Sequence, residues 1–333
     1  MSWCNGGYDP EVKLPTPRGP LSESVVDTLS RDRTGRTLPF AVADPFGEDL
    51  TIALHVLYEL HYGGFEGVDP AWEWDPELLR LRGQIEHAFL GALRAGVAGG
   101  DDLTAELEAL LVEHVPGSGV SHHLRDEGTW DEMREYFAHR SVYHHKEADP
   151  HAWVIPRLRG TAKAALVAVE FDEFGGGKAD RMHSRLYADL LEGAGMSAEY
   201  LAYLDDVPAP AIAIVNMMSL FGLHRSLRGA LVGHFAAAEI TTAPSAQRMA
   251  QALDRLEADP RCVEFFTEHI EADAVHEQIM RRDVIGSLLE QEPSLCPDVV
   301  FGIQATELLE QRLADHLLAS WRAGETSLRK PLL

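Results

Sequence analysis

Apolar residues recur along most of this chain at spacings of three and four, the period of a helix with one buried face. The pattern predicts helices over residues 48–62, 75–95, 102–114, 129–148, 160–174, 179–194, 197–205, 210–223, 226–241, 245–256, 260–280, 282–291 and 297–322. Asp75-Pro76 reads as an N-cap followed by proline at the first helical position. No segment alternates strictly enough for a strand, and no repeat of fixed period is visible. Residues 1–45, rich in Pro, Gly and charge, read as an irregular N-terminal arm. The expected fold class is all-α, a helical bundle with short connections.

Against that background, the informative feature is a helix face that ought to be apolar and is not. On 260–280, the face carrying Cys262, Phe266, His269, Asp273, His276 and Met280 is apolar at its ends and His, Asp, His in its middle. Buried, these three groups are costly without partners, and one metal ion partners all three. A solvated or hydrogen-bonded face is the plainer reading of these residues alone.

Two further constellations carry the same chemistry. Glu173 continues the apolar stripe of Leu166 and Val169, and Asp180 and His183 are neighbours one helical turn apart. Ten residues of straight helix would separate Glu173 from His183 by a rise of about 15 Å. The intervening Gly175-Gly176-Gly177 permits either a kink that closes this distance or a plain loop. The run Gly-Gly-Gly-Lys is not a phosphate loop, because Ala179 follows Lys178. Glu147 precedes Asp149-Pro150, where a helix should stop, and so is expected in a last helical turn. An acid there opposes the helix dipole, which a bound cation relieves; an exposed Glu beside Lys146 is the plainer alternative. The paired Glu-x-x-His of ferritin-like bundles is absent, whereas Asp-x-x-His occurs at Asp180/His183 and Asp273/His276.

Composition narrows the partners. With 29 basic against 53 acidic residues the formal charge is −24, which disfavours nucleic-acid binding. The three cysteines form neither a Cys-x-x-Cys pair nor a disulfide framework. The first residues lack a basic segment followed by an apolar run, and the most apolar stretch, 209–223, is too short to span a bilayer. A cytoplasmic, reduced protein is expected.

Taken together, Glu147 in KEADPH, Glu173 in DEFGGG, His183 ten residues on, and His269, Asp273 and His276 at spacings of four and three resemble the haem-oxygenase-like di-iron oxidases and oxygenases, the iron-containing redox enzymes. The resemblance covers roughly residues 120–320. It implies a haem-oxygenase-like bundle with extra N-terminal helices: an arm over 1–45, auxiliary helices over 46–118 that also offer a homodimer interface, and a catalytic domain over 119–325. It implies two Fe(II) ions held by these six residues, with Glu173 bridging, O2 as co-substrate and an external reductant, either small or an electron-donor protein. The substrate class it implies is a small amine or amino acid of specialised metabolism, N-oxygenated or cleaved at C–H or C–C bonds. N-oxygenating relatives carry a further carboxylate, usually Glu, seven residues after the bridging one; this chain has Asp180 there, shorter by one methylene. Apolar helices 210–223 and 226–241 are expected to wall the substrate pocket, with Asn216, His234 and Glu239 as polar insertions, and Arg140, Tyr143 and Arg157 are placed to orient a substrate. The alternatives are a haem-oxygenase-like enzyme without di-iron chemistry, either thiaminase-like through Cys262 or cofactorless, and a non-enzymatic helical binding protein.

Overall fold

The structure, a computed structural model, describes residues 12–31, 41–112 and 117–332, with side chains throughout except at 271–274. Among these residues every regular element is helical, and no helix is long and apolar enough to cross a membrane. The chain divides into two compact units, Met1–Ala92 and Leu93–Leu333.

In the first unit α1 (Pro20–Leu29) packs on α2 (Glu48–Glu59), and α3 (Pro76–Gly96) follows, with its last residues, from Leu93, counted to the second unit. The α1 helix lies in the stretch expected to be an irregular arm. Leu21, Val25 and Leu29, one turn apart, are all buried, and the Asp49 carboxylate on α2 accepts hydrogen bonds from the backbone N–H groups of Leu21 (2.9 Å) and Ser22 (2.7 Å). The cap is thus supplied from 27 or 28 residues away, where local sequence does not reveal it.

The second unit contains α4 (Leu103–Leu110), α5 (Val120–Asp126), α6 (Trp130–His144), α7 (Asp149–Ala152), α8 (Gly160–Glu173), α9 (His183–Gly193), α10 (Ala209–Leu223), α11 (Arg228–Arg255), α12 (Pro260–Gln278), a π-helical turn at Ile279–Gly286, α13 (Ser287–Gln291) and α14 (Cys296–Arg322). Its middle is α11, which packs along both α12 and α14. The α11–α14 crossing is close because it is made of glycine: a Cβ on Gly233 would lie 2.0 Å from the Val299 carbonyl oxygen, and one on Gly302 2.0 Å from that of Ala230. α10 is apolar on nearly every side and almost wholly buried, as a central helix must be.

Three expectations change. Helices 226–241 and 245–256 are one helix through Pro244; the ring removes one N–H, and Thr241 and Thr242 bond back to the carbonyls of Ala237 and Ala238 in the turn before it. Residues 197–205 form turns instead of a helix: the Ser197 N–H bonds to the Tyr203 hydroxyl, and Leu201 has positive φ. The helix over 129–148 ends at His144, so Glu147 sits in the turn between α6 and α7 and not at a helix terminus.

Candidate metal centre

Glu147, Glu173, His183 and His269 each offer a donor atom, and these atoms all lie within 4.8 Å of one another. Glu173, Glu239 and His276 form a second set by the same measure, so Glu173 belongs to both. All six residues are between 1 and 7 % exposed.

Local structure explains how residues far apart in sequence meet. Glu173 is the last residue of α8 and His183 the first of α9. Between them Gly175, Gly176 and Gly177 all take positive φ, and a Cβ on Gly175 would lie 2.6 Å from the Arg181 backbone. The glycines therefore reverse the chain and bring His183 Nδ1 to 2.8 Å from Glu173 Oε2. His269 and His276 lie on the stripe of α12 read from the sequence, whose Cys262, Phe266 and Met280 are buried as well. Glu147 is held by a hydrogen bond from His144 Nδ1 at 2.8 Å.

Asp273 lies on α12, but its side chain is outside the described residues. Asp180 is exposed on the turn between α8 and α9 and belongs to neither donor set. Glu239, on α11, was legible in the sequence only as a polar residue in an apolar run. His144 and Asp172, which hold ligand-type residues in place, carried no signal there.

The ring nitrogens pointing away from each set are tied down. His269 Nδ1 bonds to the Phe265 carbonyl oxygen (2.7 Å), so in the neutral ring Nε2 carries the lone pair, 3.8 Å from Glu147 Oε1. His276 Nε2 bonds to Asp172 Oδ2 (3.1 Å), which leaves Nδ1 facing Glu239 Oε2 at 3.0 Å and Glu173 Oε1 at 3.7 Å. Carbonyl–histidine and carboxylate–histidine pairs of this kind orient imidazoles toward metals.

The electrostatics are those of a site short of positive charge. Burial works to raise the Glu147 carboxyl, but the charges and hydrogen bonds of His144 and His269 outweigh it and hold it well below the usual carboxylate range. Burial pushes Glu239 up to about 7. Burial also pulls His276 down, but its bond to Glu239 prevails and leaves the ring at about 9. Nearby Glu170, buried with no hydrogen bond to either carboxyl oxygen, is pushed up to about 9 by burial and by the charges of Glu173 and Glu239. His183 Nδ1, though 2.8 Å from a carboxylate oxygen, lacks the geometry of a hydrogen bond. Mixed imidazole and carboxylate donors gathered this closely fit a first-row divalent metal such as iron.

A cavity of about 540 Å³ opens on these sets from one side, lined by Glu147, Glu173, Glu239 and His269 and by Tyr143, His144, Met218, His234 and Phe235. Helices α10 and α11 wall it, as expected. Arg140 lines it too, paired with Glu310 through two bonds of 2.8 and 2.6 Å. Arg157 does not: it bonds to the carbonyls of Gly222 and Leu223 at the end of α10. Asn216 is buried within α10. A smaller cleft, lined by Asp172, Lys178, Arg181, His183, Glu268 and His276, opens elsewhere.

A helical bundle with a buried carboxylate–histidine centre beside a substrate-sized cavity defines the class as a candidate metal-dependent redox enzyme. Residues 134–311 match the family model of the iron-containing redox enzymes, which is more than half of the chain, so this chain belongs to that family of oxidative enzymes and has its haem-oxygenase-like helical bundle. The chain is also similar to a nitrosourea synthase of Streptomyces achromogenes subsp. streptozoticus, 26 % identical over 164 residues, spanning 49 % of this chain and 35 % of that protein. The matched stretch thus covers about a third of that relative's length.

Proposed function

We propose that this protein is an O2-activating, non-haem di-iron oxidase or oxygenase acting on a small amine or amino-acid-like molecule. The observation that carries the reading is that Glu173 belongs to both donor sets, as a carboxylate bridging two ions must. Glu147, His183 and His269 would hold one iron, and His276, with Asp273 from the same helix, the other. When bound, paired ferrous ions supply two electrons to O2 and the oxidising power that follows. The protein fixes the donors and excludes water. The Phe265 carbonyl and His144 hold His269 and Glu147 at set angles, and Tyr143, Met218 and Phe235 close the cavity wall over them. In the metal-free protein, burial and the charges of Glu173 and Glu239 raise the Glu170 carboxyl to about 9.

The cavity supports a small polar substrate, since Arg140, Glu310, Glu307 and Arg248 line it beside Phe235 and Leu313. The similar protein is named for a nitrosourea, a product bearing an oxidised nitrogen, which supports nitrogen as the atom attacked.

Anaerobic Fe(II) titration of the metal-free protein, followed by O2 consumption with a panel of amines and amino acids, tests this. Two irons per chain and amine-stimulated O2 uptake, both abolished in Glu173→Ala, are expected. Full iron uptake by Glu173→Ala, or none by the wild type, would sink the reading.

A further inference from the structure

The smaller cleft, of about 450 Å³, has no part in the function proposed above. Its lining grades from the surface to the centre. Asp172 and Glu268 stand at its mouth, with side chains 57 and 30 % exposed, and His183 and His276, each 1 % exposed, form its floor. One of these histidines belongs to each donor set, and neither lines the large cavity. Asp172 Oδ2, 3.1 Å from His276 Nε2, joins the mouth to the floor. Gly175 and Gly176 leave one wall as bare backbone. The bland account is a surface irregularity left by the glycine turn. It does not explain why two buried histidines from different helices, one per donor set, meet the same opening.

We propose that this cleft is the port by which metal ions reach and leave the centre, the large cavity being kept for the substrate. This rests on the metal reading above, though not on the number of ions. A hydrated divalent ion exchanges its waters stepwise for the donors it meets. The cleft offers it an exposed carboxylate first and an imidazole behind. The large cavity would take it past Met218, Phe235, Phe265 and Phe266, where nothing compensates for lost water. Arg181 bars the mouth. Its Nη2 donates to both Glu268 oxygens, at 2.8 and 2.7 Å, which ties the turn before α9 to α12 and occupies one of the two entry carboxylates. With separate openings, ions exchange while the substrate stays in place.

The test follows loading of the metal-free full-length protein without oxygen, by stopped-flow with Co(II) and its visible absorption, and release of Fe(II) into excess bipyridine. The wild type is compared with Val275→Trp, which plugs the small cleft at a residue 60 % exposed, Arg181→Ala, which unbars it, and Ser245→Trp, which narrows the large cavity. Uptake and release should both slow roughly tenfold in Val275→Trp and both quicken about three- to tenfold in Arg181→Ala, which removes a positive charge and frees Glu268. A port changes rates and not the bound state, so equilibrium affinity should stay within about twofold of the wild type in all three. Ser245→Trp should load at the wild-type rate. Should Val275→Trp lose affinity, its fold is at fault and Arg181→Ala decides by the same criterion. Wild-type rates in both cleft variants, or slower loading in Ser245→Trp than in Val275→Trp, would overturn the port. A wild type that takes up neither ion would sink the metal reading itself, whereas normal uptake that no cleft variant alters sinks the port alone.

Discussion

The two donor sets share Glu173 but are supported differently. In the first, His269 is fixed by a backbone carbonyl of its own helix and Glu147 by His144, itself packed against Tyr187 and Phe265. In the second, His276 is held by Asp172, whose side chain is 57 % exposed, and the helix turns π-helical three residues further on. Both sets reach both openings: Glu147, Glu173, His269 and Glu239 line the large cavity, and His183 and His276 the small cleft. A preorganised set costs little to fill; one whose imidazole must first give up a carboxylate bond costs more. The first position should therefore bind metal more tightly and fill first.

The harshest way to break this comparison is Glu173→Ala, which removes the shared donor and should abolish both positions. His269→Ala should be selective. It should eliminate the tight first ion while the second persists, so a titration changes from two steps to one weak step. If His269→Ala removed both ions together, the sets would be a single cooperative unit and their ranking meaningless.

A third effect concerns histidines outside both sets. Burial lowers His139 to about 3 and His234 to about 4, and neither has a carboxylate bond to oppose it. Their folded values lie below the ordinary 6.5, so the unfolded chain takes up protons first as pH falls. Stability is full above about pH 6.5 and is lost progressively toward pH 4, by about 1.4 kcal/mol per pH unit for each ring. Thermal melts across this window should show a steep fall in Tm, and the fall should be shallower in His234→Gln. His276, raised by its carboxylates, does not contribute in this direction; an equal fall in both proteins would show that His234 does not carry the acid sensitivity.

The same contrast shows what was legible in the sequence. The helical period gave the bundle, and α3 starts at Pro76, behind the Asp75 cap that it marked. The His269/His276 stripe and the glycine run before His183 were visible because their spacing is local. Glu239 was not assignable to the centre, since its partner His276 lies 37 residues away on another helix and nothing in an apolar run says which neighbour a lone acid will face. The first helix, Pro20–Leu29, was missed for the same reason, its cap coming from α2. What remained hidden is what tertiary packing decides: which face of α11 meets α12, and that α6 ends before Glu147.

The smallest expected effect is the sharpest probe of the second set. Asp172 bonds His276 Nε2 at 3.1 Å and so holds Nδ1 toward Glu173 and Glu239. Where such a partner is buried, its loss costs roughly 10- to 100-fold in metal affinity. Here solvent screens more than half of the carboxylate, which brings the contribution toward that of a surface pair, about 0.2–1 kcal/mol, or up to about fivefold. Asp172→Asn keeps an acceptor for Nε2–H and should weaken only the second ion, by about that factor, with the first ion unchanged by calorimetry. A loss of more than about 100-fold, beyond what a buried orienting partner contributes, would mean that Asp172 reaches the metal directly and that the second position opens into the small cleft. No loss would mean that α12 alone fixes the His276 ring, and the difference in support between the two sets would then lie in the helix and not in its partners.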